Sequence, residues 1–103
     1  MVTVGAPGDY GKPRPAVVIQ SDALDSTDSV LVCLLTSTIV EAPLYRLSVA
    51  PTPSNGRQAP SQVMADKILA VRRGKCGQRI GTLEPELTLR LNHMLLVMIG
   101  LAD

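Results

Sequence analysis

Short apolar runs alternate with polar, turn-forming segments along most of this chain. The runs at residues 16–19 and 30–35 are rich in β-branched side chains and are bounded by turn residues, a pattern typical of buried strands. Residues 21–29, which lie between them, are rich in Asp and Ser and favour a connecting loop. The pattern therefore predicts two neighbouring strands of a buried sheet.

Weaker patterns predict further strands. Residues 44–49 alternate in polarity, as expected of a strand with one wetter face. Residues 62–71 are interpreted as two short strand pieces, and the charged pair Asp66-Lys67 between them indicates a bulge or corner. Additional expectations are short strands at residues 1–4 and 79–82, a loop at residues 50–60 and a tight turn at Asn55-Gly56.

The hydrophobic period becomes helical near the end of the chain. One apolar stripe recurs at helical spacing through Leu87, Leu91, Leu95 and Met98. Pro85 suits the first helical position and Gly100 the stop, so a helix is predicted over residues 85–99. Short strands followed by one helix predict a single domain over residues 1–103 that is mainly β (α+β): a small antiparallel β-barrel with a C-terminal α-helix.

Composition narrows the function classes. A chain of 103 residues supports one domain that buries only about two-thirds of its unfolded surface, so a homodimer is expected. Phe and Trp are absent, and Tyr10 and Tyr45 are the only aromatic residues. This disfavours binding to single-stranded nucleic acid through a platform of stacked aromatic side chains.

The charge balance is close to neutral. A net charge of +1 argues against a general polyanion binder, so any contact with nucleic acid must be local. Basic residues do cluster between Lys67 and Arg79, and a solvated surface turn explains that cluster as well as a binding site does. Cys33 and Cys76 lack zinc-ligand spacing, and no metal site is expected. The apolar runs are far shorter than the ~20 residues of a membrane span, so a cytoplasmic protein is expected.

Arg14 is the best candidate in the sequence for a residue that binds an anion. Pro13 and Pro15 restrict the backbone around it, and the buried strand at residues 16–19 follows directly. A guanidinium held at the mouth of a core strand is suited to bind a phosphate or carboxylate. The structural alternative is an ion pair with Asp22 or Asp66.

Three consecutive hydroxyl side chains end the second apolar run. Thr36, Ser37 and Thr38 either satisfy backbone groups where the strand stops or face the same mouth as Arg14. The adjacency of the two strands makes the second arrangement geometrically simple. If the strand continues past Thr36, Ser37 points to the opposite face, so Thr36 is the better candidate.

Several segments together resemble the MazF/PemK family of toxin–antitoxin ribonucleases. They are Gly-Lys-Pro-Arg-Pro at residues 11–15, Leu-Leu-Thr-Ser at 34–37, Ser-Gln-Val-Met-Ala-Asp-Lys at 61–67 and Arg-Ile-Gly-Thr-Leu at 79–83. The resemblance implies an SH3-like barrel and a metal-independent, cofactor-free endoribonuclease, an mRNA interferase. It would cleave single-stranded RNA to 2′,3′-cyclic phosphate and 5′-hydroxyl ends, and a cognate antitoxin with acidic residues would cover its basic surface.

The resemblance also assigns roles to residues. It implies that Arg14 contacts the scissile phosphate, that Thr36 is the active-site threonine and that Asp66 is a supporting acidic residue. The arginine that some members carry two positions before this acid is Met64 here, and the first loop offers only Asp9 and Tyr10 where others carry an acidic residue or histidine. Residues expected to bind RNA are Lys12, Ser37, Lys67, Arg72 and Arg73.

Two other functions remain open from the sequence. A gyrase poison of the CcdB kind shares the barrel-plus-helix fold and acts by protein binding, but the tryptophan that precedes its final glycine is absent here. An inactive regulatory dimer is the third interpretation, because of Met64 and the missing acidic loop group. Fold alone does not choose among them.

Overall fold

The computed structural model describes residues 2–4 and 13–103, with the backbone alone described for residues 2–4. The strands are β1 Val2–Val4, β2 Arg14–Val18, β3 Ser29–Thr36, β4 Arg46–Val49, β5 Ser61–Arg72 and β6 Cys76–Arg79. A short 3₁₀ helix, Arg73–Lys75, joins β5 to β6, and the chain ends with helix α1, Pro85–Met98. The predicted mainly β fold with a C-terminal helix is therefore confirmed.

The strands form one antiparallel sheet in the order β4-β5-β3-β2-β1-β6. Strand β3 lies near its middle, paired with β2 on one side and β5 on the other. In the described part of the chain, the end strands β4 and β6 do not pair with each other, so the barrel stays open along that seam.

Strand β3 is buried on both faces. Cys33 and Leu35 belong to the cluster that helix α1 covers. Val32 and Leu34 belong to a second cluster on the other face. Successive side chains of a strand alternate between faces, so this continuous apolar run is the signature of a strand enclosed by two layers. Thr36, the last residue of β3, is thus held at the end of a rigid element.

Strand β5 is one continuous strand, and the prediction of two separate pieces is wrong. Its register against β3 shifts, because Ile68 lies opposite Cys33 whereas Val63 lies opposite Leu35. The extra residues include Asp66 and so place an irregularity where the charged pair predicted a bulge. The backbone stays extended through it, and the first part of β5 also pairs with β4.

Helix α1 packs on the sheet through Leu91, which is buried, and through the partly buried Leu87, Met94 and Leu95. Met98 of the predicted stripe is largely exposed, since the contact face follows Met94 instead. Gly100 ends the helix at φ +82°, with Gly100 N–H donating to Val97 O (3.1 Å) and Leu101 N–H to Leu96 O (2.8 Å). None of the described helices is long and apolar enough to cross a bilayer.

The β4–β5 loop is anchored by Asn55, whose side chain is fully buried. Its Nδ2 donates to Ala50 O (2.8 Å) and to Glu84 Oε1 (2.9 Å), and its Oδ1 accepts from the N–H groups of Thr52 (3.1 Å) and Arg57 (2.9 Å). Because Glu84 precedes the first residue of α1, this one amide ties the loop to the start of the helix.

The segment before the helix differs from the prediction. The last strand is Cys76–Arg79 rather than residues 79–82, and Thr82 instead donates its backbone N–H to Ser54 O over 2.8 Å. The predicted tight turn does occur, with Gly56 at φ +70°. A Cβ on Gly56 would collide with the backbone oxygen of Ile80, so the two segments approach as closely as glycine allows.

Candidate active site

The structure places Arg14 and Thr36 on neighbouring strands. Ala16 of β2 lies opposite Leu34 of β3, and Val17 lies opposite Cys33. Extending this register by two residues puts Arg14 opposite Thr36. Opposite residues of an antiparallel pair project from the same face, so the guanidinium and the hydroxyl share one side of the sheet. The role of Arg14 at this point of the sheet stays a prediction.

A row of polar side chains continues across the sheet from Thr36. Gln62 of β5 lies opposite Thr36, and Ser48 of β4 lies opposite Gln62. Neighbouring strands are ~4.8 Å apart, so the Cα atoms of Thr36 and Ser48 are about 10 Å apart. We call Arg14, Thr36, Gln62 and Ser48 the polar row. It crosses the end of the sheet at which β3 and β4 lead into their loops.

The Thr36 hydroxyl is oriented by its own backbone. Its Oγ1 accepts a hydrogen bond from Thr38 N–H over 3.1 Å, and the side chain is half-buried. A hydroxyl has one hydrogen and can accept two bonds. No described acceptor takes the Thr36 hydroxyl hydrogen, so it is available to a phosphate oxygen. The structural expectation for these hydroxyls is met at Thr36, which satisfies a backbone group where the strand stops, and its role at the site stays a prediction.

Gln62 and Arg46 were not recognised as site residues from the sequence. Gln62 is only 4% exposed, and its Oε1 accepts from Val40 N–H (3.2 Å) and from Arg46 Nη1 (3.1 Å). Its Nε2 donates to Val40 O (2.8 Å). Arg46 Nη1 also approaches Thr38 O at 3.4 Å. The alternation in β4 had placed Arg46 and Ser48 on one face, but only the strand order brings them beside Thr36.

Asp66 and Lys67 lie at the register shift in β5, four and five residues along the strand from Gln62, and both are exposed. Asp66 forms no ion pair with any described residue. Burial, with a smaller contribution from the Asp66 carboxylate, raises the pKa of the Cys33 thiol to about 11. Cys33 is therefore a protonated core residue at neutral pH and not a nucleophile.

Arg72 and Arg73 lie at the other end of the sheet. Arg72 is opposite Ser29, the first residue of β3, so it is about 23 Å along the strand from the level of Thr36. The Arg73 guanidinium holds the β2–β3 loop, since Nη2 donates to Leu24 O (3.0 Å) and Thr27 Oγ1 (3.2 Å), and Nε donates to Thr27 O. Their role in RNA binding stays a prediction.

The other two expected RNA-binding residues differ in how far the structure describes them. Ser37 is exposed in the bend directly after Thr36, which keeps it at the edge of the polar row. Lys12 lies outside the described residues. Asp9 and Tyr10 of the first loop also lie outside them.

Known proteins resemble this chain over nearly its whole length. The family model described as PemK-like, MazF-like toxin of type II toxin–antitoxin system matches residues 1–99. A probable endoribonuclease MazF from Mycolicibacterium smegmatis is 41% identical over 101 residues, covering 97% of this chain and 93% of the relative.

Solved structures share the fold at lower identity. The Mycobacterium tuberculosis toxin MazF-mt6 superposes with a TM-score of 0.81 at 19% identity, covering 99% of this chain and 97% of that one. A MazE–MazF structure from Deinococcus radiodurans gives 0.77 at 18% identity, covering 98% and 91%. A mycobacterial endoribonuclease in complex with its cognate antitoxin gives 0.78 at 24% identity, covering 99% and 93%. Since the family model spans nearly the whole chain and the M. smegmatis relative matches it end to end, this chain belongs to the PemK-like, MazF-like toxins of type II toxin–antitoxin systems.

Proposed function

We propose that this chain is an endoribonuclease that cleaves single-stranded RNA at a phosphodiester bound between Arg14 and Thr36. The observation that carries the proposal is the register of β2 against β3, which sets a permanently charged guanidinium opposite a hydroxyl on one face of the sheet. The name of the M. smegmatis relative, a probable endoribonuclease, supports the same activity.

The two side chains suit the charge that develops during RNA transesterification. The ribose 2′-oxygen forms a bond to phosphorus while the bond from phosphorus to the 5′-oxygen breaks, which gives a 2′,3′-cyclic phosphate and a 5′-hydroxyl. Arg14 stabilises the added negative charge on the phosphoryl oxygens, and the Thr36 hydroxyl donates a hydrogen bond to one of them. A fixed cation at this point performs charge stabilisation without a metal ion, so we expect cleavage in the presence of a chelator.

Proton transfer needs further groups. The 2′-hydroxyl must lose a proton and the 5′-oxygen must gain one. Asp66 is an exposed carboxylate at the register shift of β5 and is our candidate for orienting Arg14. A threonine hydroxyl alone is a poor base, so Thr36 is assigned to binding and orientation.

We expect the substrate to be single-stranded. The polar row lies at a sheet end from which loops project, and unpaired RNA can present its backbone there with its bases turned aside. Ser37, exposed directly after Thr36, and Lys67, exposed on β5, are our candidates for contacts with neighbouring nucleotides.

The partners we propose are a second copy of this chain and a cognate antitoxin, in the cytoplasm. Leu44 and Leu89 are 79% and 71% exposed, and they line a groove with Met94 and Val97. A continuous apolar surface of this kind is unusual on a monomer. The antitoxin would bring acidic residues to the basic positions near the RNA site.

Incubation of the purified protein with a long RNA in EDTA, followed by mapping of the ends, tests the proposal. Discrete cuts that carry cyclic phosphate and 5′-hydroxyl ends are expected. Intact RNA together with arrested gyrase supercoiling would instead establish a gyrase poison. If both RNA and gyrase activity are unchanged, the chain is a non-catalytic regulatory protein.

A further inference from the structure

A cavity of about 430 Å³ lies beside the polar row, under the segment that connects β3 to β4. Residues 39–43 form one wall, and β4 and β5 form the floor. The polar side chains that line it are Glu41, Arg46, Ser48, Gln62 and Arg90. Two members of the polar row, Gln62 and Ser48, therefore also line this cavity, and Thr36 lies opposite Gln62 on the next strand.

Arg46 is an unneutralised charge inside this cavity. Its side chain is half-buried, and its Nε is shielded from solvent without a hydrogen-bond partner in the described part of the protein. The bonds it does make, through Nη1, go to the neutral oxygens of Gln62 and Thr38. Glu41 lines the same cavity, yet no carboxylate of a described residue pairs with Arg46.

A partly buried guanidinium without a carboxylate partner is stabilised when an anion binds to it. Charged groups withdrawn from water are ordinarily paired, because an unpaired one loses hydration without compensation. A guanidinium presents five N–H donors in a planar fork that matches phosphate. The remaining N–H donors of Arg46 can bind an anion that enters the cavity. The edge of an RNA base could accept the same hydrogen bonds, but it is uncharged and would not neutralise the guanidinium.

The position of Arg46 relative to Thr36 sets which phosphate it reaches. Arg46 follows the same face of β4 as Ser48, two residues away, and Ser48 is about 10 Å from Thr36 across the sheet. A long arginine side chain shortens that separation. A phosphate bound at Arg46 would thus lie one nucleotide away from the phosphate at Thr36, on the same strand of RNA.

We propose that Arg46 binds the RNA phosphate adjacent to the cleaved one, and that Gln62 is the residue that positions it. This inference rests on the proposed RNA cleavage at Arg14 and Thr36. The buried Gln62 amide fixes both the Arg46 guanidinium and the backbone of Val40, so the cavity wall and the cation are oriented by one side chain. The subsite is separate from the reacting atoms and contributes to substrate binding.

Steady-state cleavage of a short RNA with one cut site tests the proposal. Arg46→Met should raise KM by about 10- to 100-fold, the range for a lost charge-assisted hydrogen bond, with kcat within about twofold of the wild type. The dependence of log KM on log salt should become shallower by about 0.7, the value for one phosphate contact to a single strand. Arg57→Met is the matched control, because Arg57 donates to Ser61 over 2.9 Å, on the other face of β5 from Gln62; its KM should not change.

Chemically altered RNA identifies the contacted phosphate. Two RNAs each carry one neutral methylphosphonate, on one or the other side of the cut, and only one of them should bind the wild type more weakly than the unmodified RNA. Arg46→Met should bind that RNA no more weakly than it binds the unmodified RNA. Gln62→Glu provides a second variant, since a carboxylate beside Arg46 neutralises its charge and still accepts the hydrogen bond from Arg46, although the bond that the amide donates to Val40 O is lost. KM should rise as in Arg46→Met. Thermal melting should be unchanged or higher in Arg46→Met, because an unpaired buried charge is removed.

The outcomes separate the two proposals. If Arg46→Met changes neither KM nor its salt dependence, the role of Arg46 is overturned while ribonuclease activity remains established. The same conclusion follows if the effects of Arg46→Met and of the methylphosphonate on binding are purely additive for both altered RNAs. A raised KM in Arg46→Met that is accompanied by a lowered melting temperature would show that Arg46 has only a structural role. That result would also overturn the proposed phosphate contact. Absence of cleavage by the wild type would overturn the proposed function itself.

Discussion

The backbone N–H of Thr38 donates a hydrogen bond to Thr36 Oγ1 over 3.1 Å. This contact uses one acceptor position of the hydroxyl and does not use its hydrogen. The Thr36 side chain is therefore prepared to donate to an anion, and its orientation depends on the first residues of the β3–β4 loop.

Thr36→Val should lower kcat by about 100-fold, the loss typical of one hydrogen bond made to the developing charge. Valine keeps the shape and β-branching of threonine, so β3 should be preserved. Thr36→Ser keeps the hydroxyl and should retain most of the activity. Single-turnover cleavage of a short RNA measures both variants, and equal rates for Thr36→Val and the wild type would remove the hydroxyl from the mechanism.

Arg14→Ala should abolish cleavage while leaving the thermal melt nearly unchanged, because Arg14 is exposed at the start of β2 and surface substitutions have small effects on stability. Arg14→Lys keeps the charge but loses the planar fork, so we expect partial activity. Cleavage and differential scanning fluorimetry on the same samples check this. Activity retained in Arg14→Ala would contradict the assignment.

Asn55→Ala should reduce the free energy of unfolding by at least about 3 kcal/mol, because the groups that the amide satisfies are left without partners. Those groups include Ala50 O and Glu84 Oε1. Asn92→Ala, on the exposed side of α1, is the matched control and should change the free energy by less than about 0.5 kcal/mol. Urea denaturation measures both, and similar losses would refute the anchoring role of Asn55.

Cys33 should make the fold less stable at alkaline pH. Its pKa is raised to about 11 in the folded protein, above the value of about 8.5 for an unfolded thiol. Folding therefore favours the protonated thiol. The stabilisation is complete below the unfolded pKa and is lost as the pH rises through the folded one.

Urea denaturation of the wild type and Cys33→Ala at about pH 8 and about pH 10 tests this titration. The difference in unfolding free energy between the two proteins should narrow at the higher pH, because the variant lacks the thiol. A difference that stays constant would show that Cys33 does not titrate differently in the folded and unfolded states.

Much of the fold and half of the polar row follow from the sequence. Two apolar runs joined by a short polar loop predict adjacent strands, and this adjacency brings Arg14 to Thr36. The helix follows from its period, from Pro85 and from Gly100. These features depend on residues close together in the chain, for which local physical rules are reliable.

The remaining site residues depend on contacts between distant segments. Arg46 meets Gln62 only because β4 pairs with the first part of β5, a register that no local pattern specifies. The basic residues that are close together in the sequence are spread out by the fold, since five residues of the long strand β5 separate Arg72 from Lys67 at ~3.3 Å per residue. Likewise, the turn at Asn55 was predictable, whereas its burial against Glu84 was not.

The burial of β3 on both faces determines how fast its amide hydrogens exchange with solvent. Amide protons at Val32 and Leu34 lie under two separate layers, so fraying of the helix alone does not admit water to them. Hydrogen–deuterium exchange at this strand should proceed only through global unfolding, while residues 37–45 exchange earlier through local opening. The substrate-facing segment can thus rearrange around an incoming RNA while the strand that carries Thr36 stays in place.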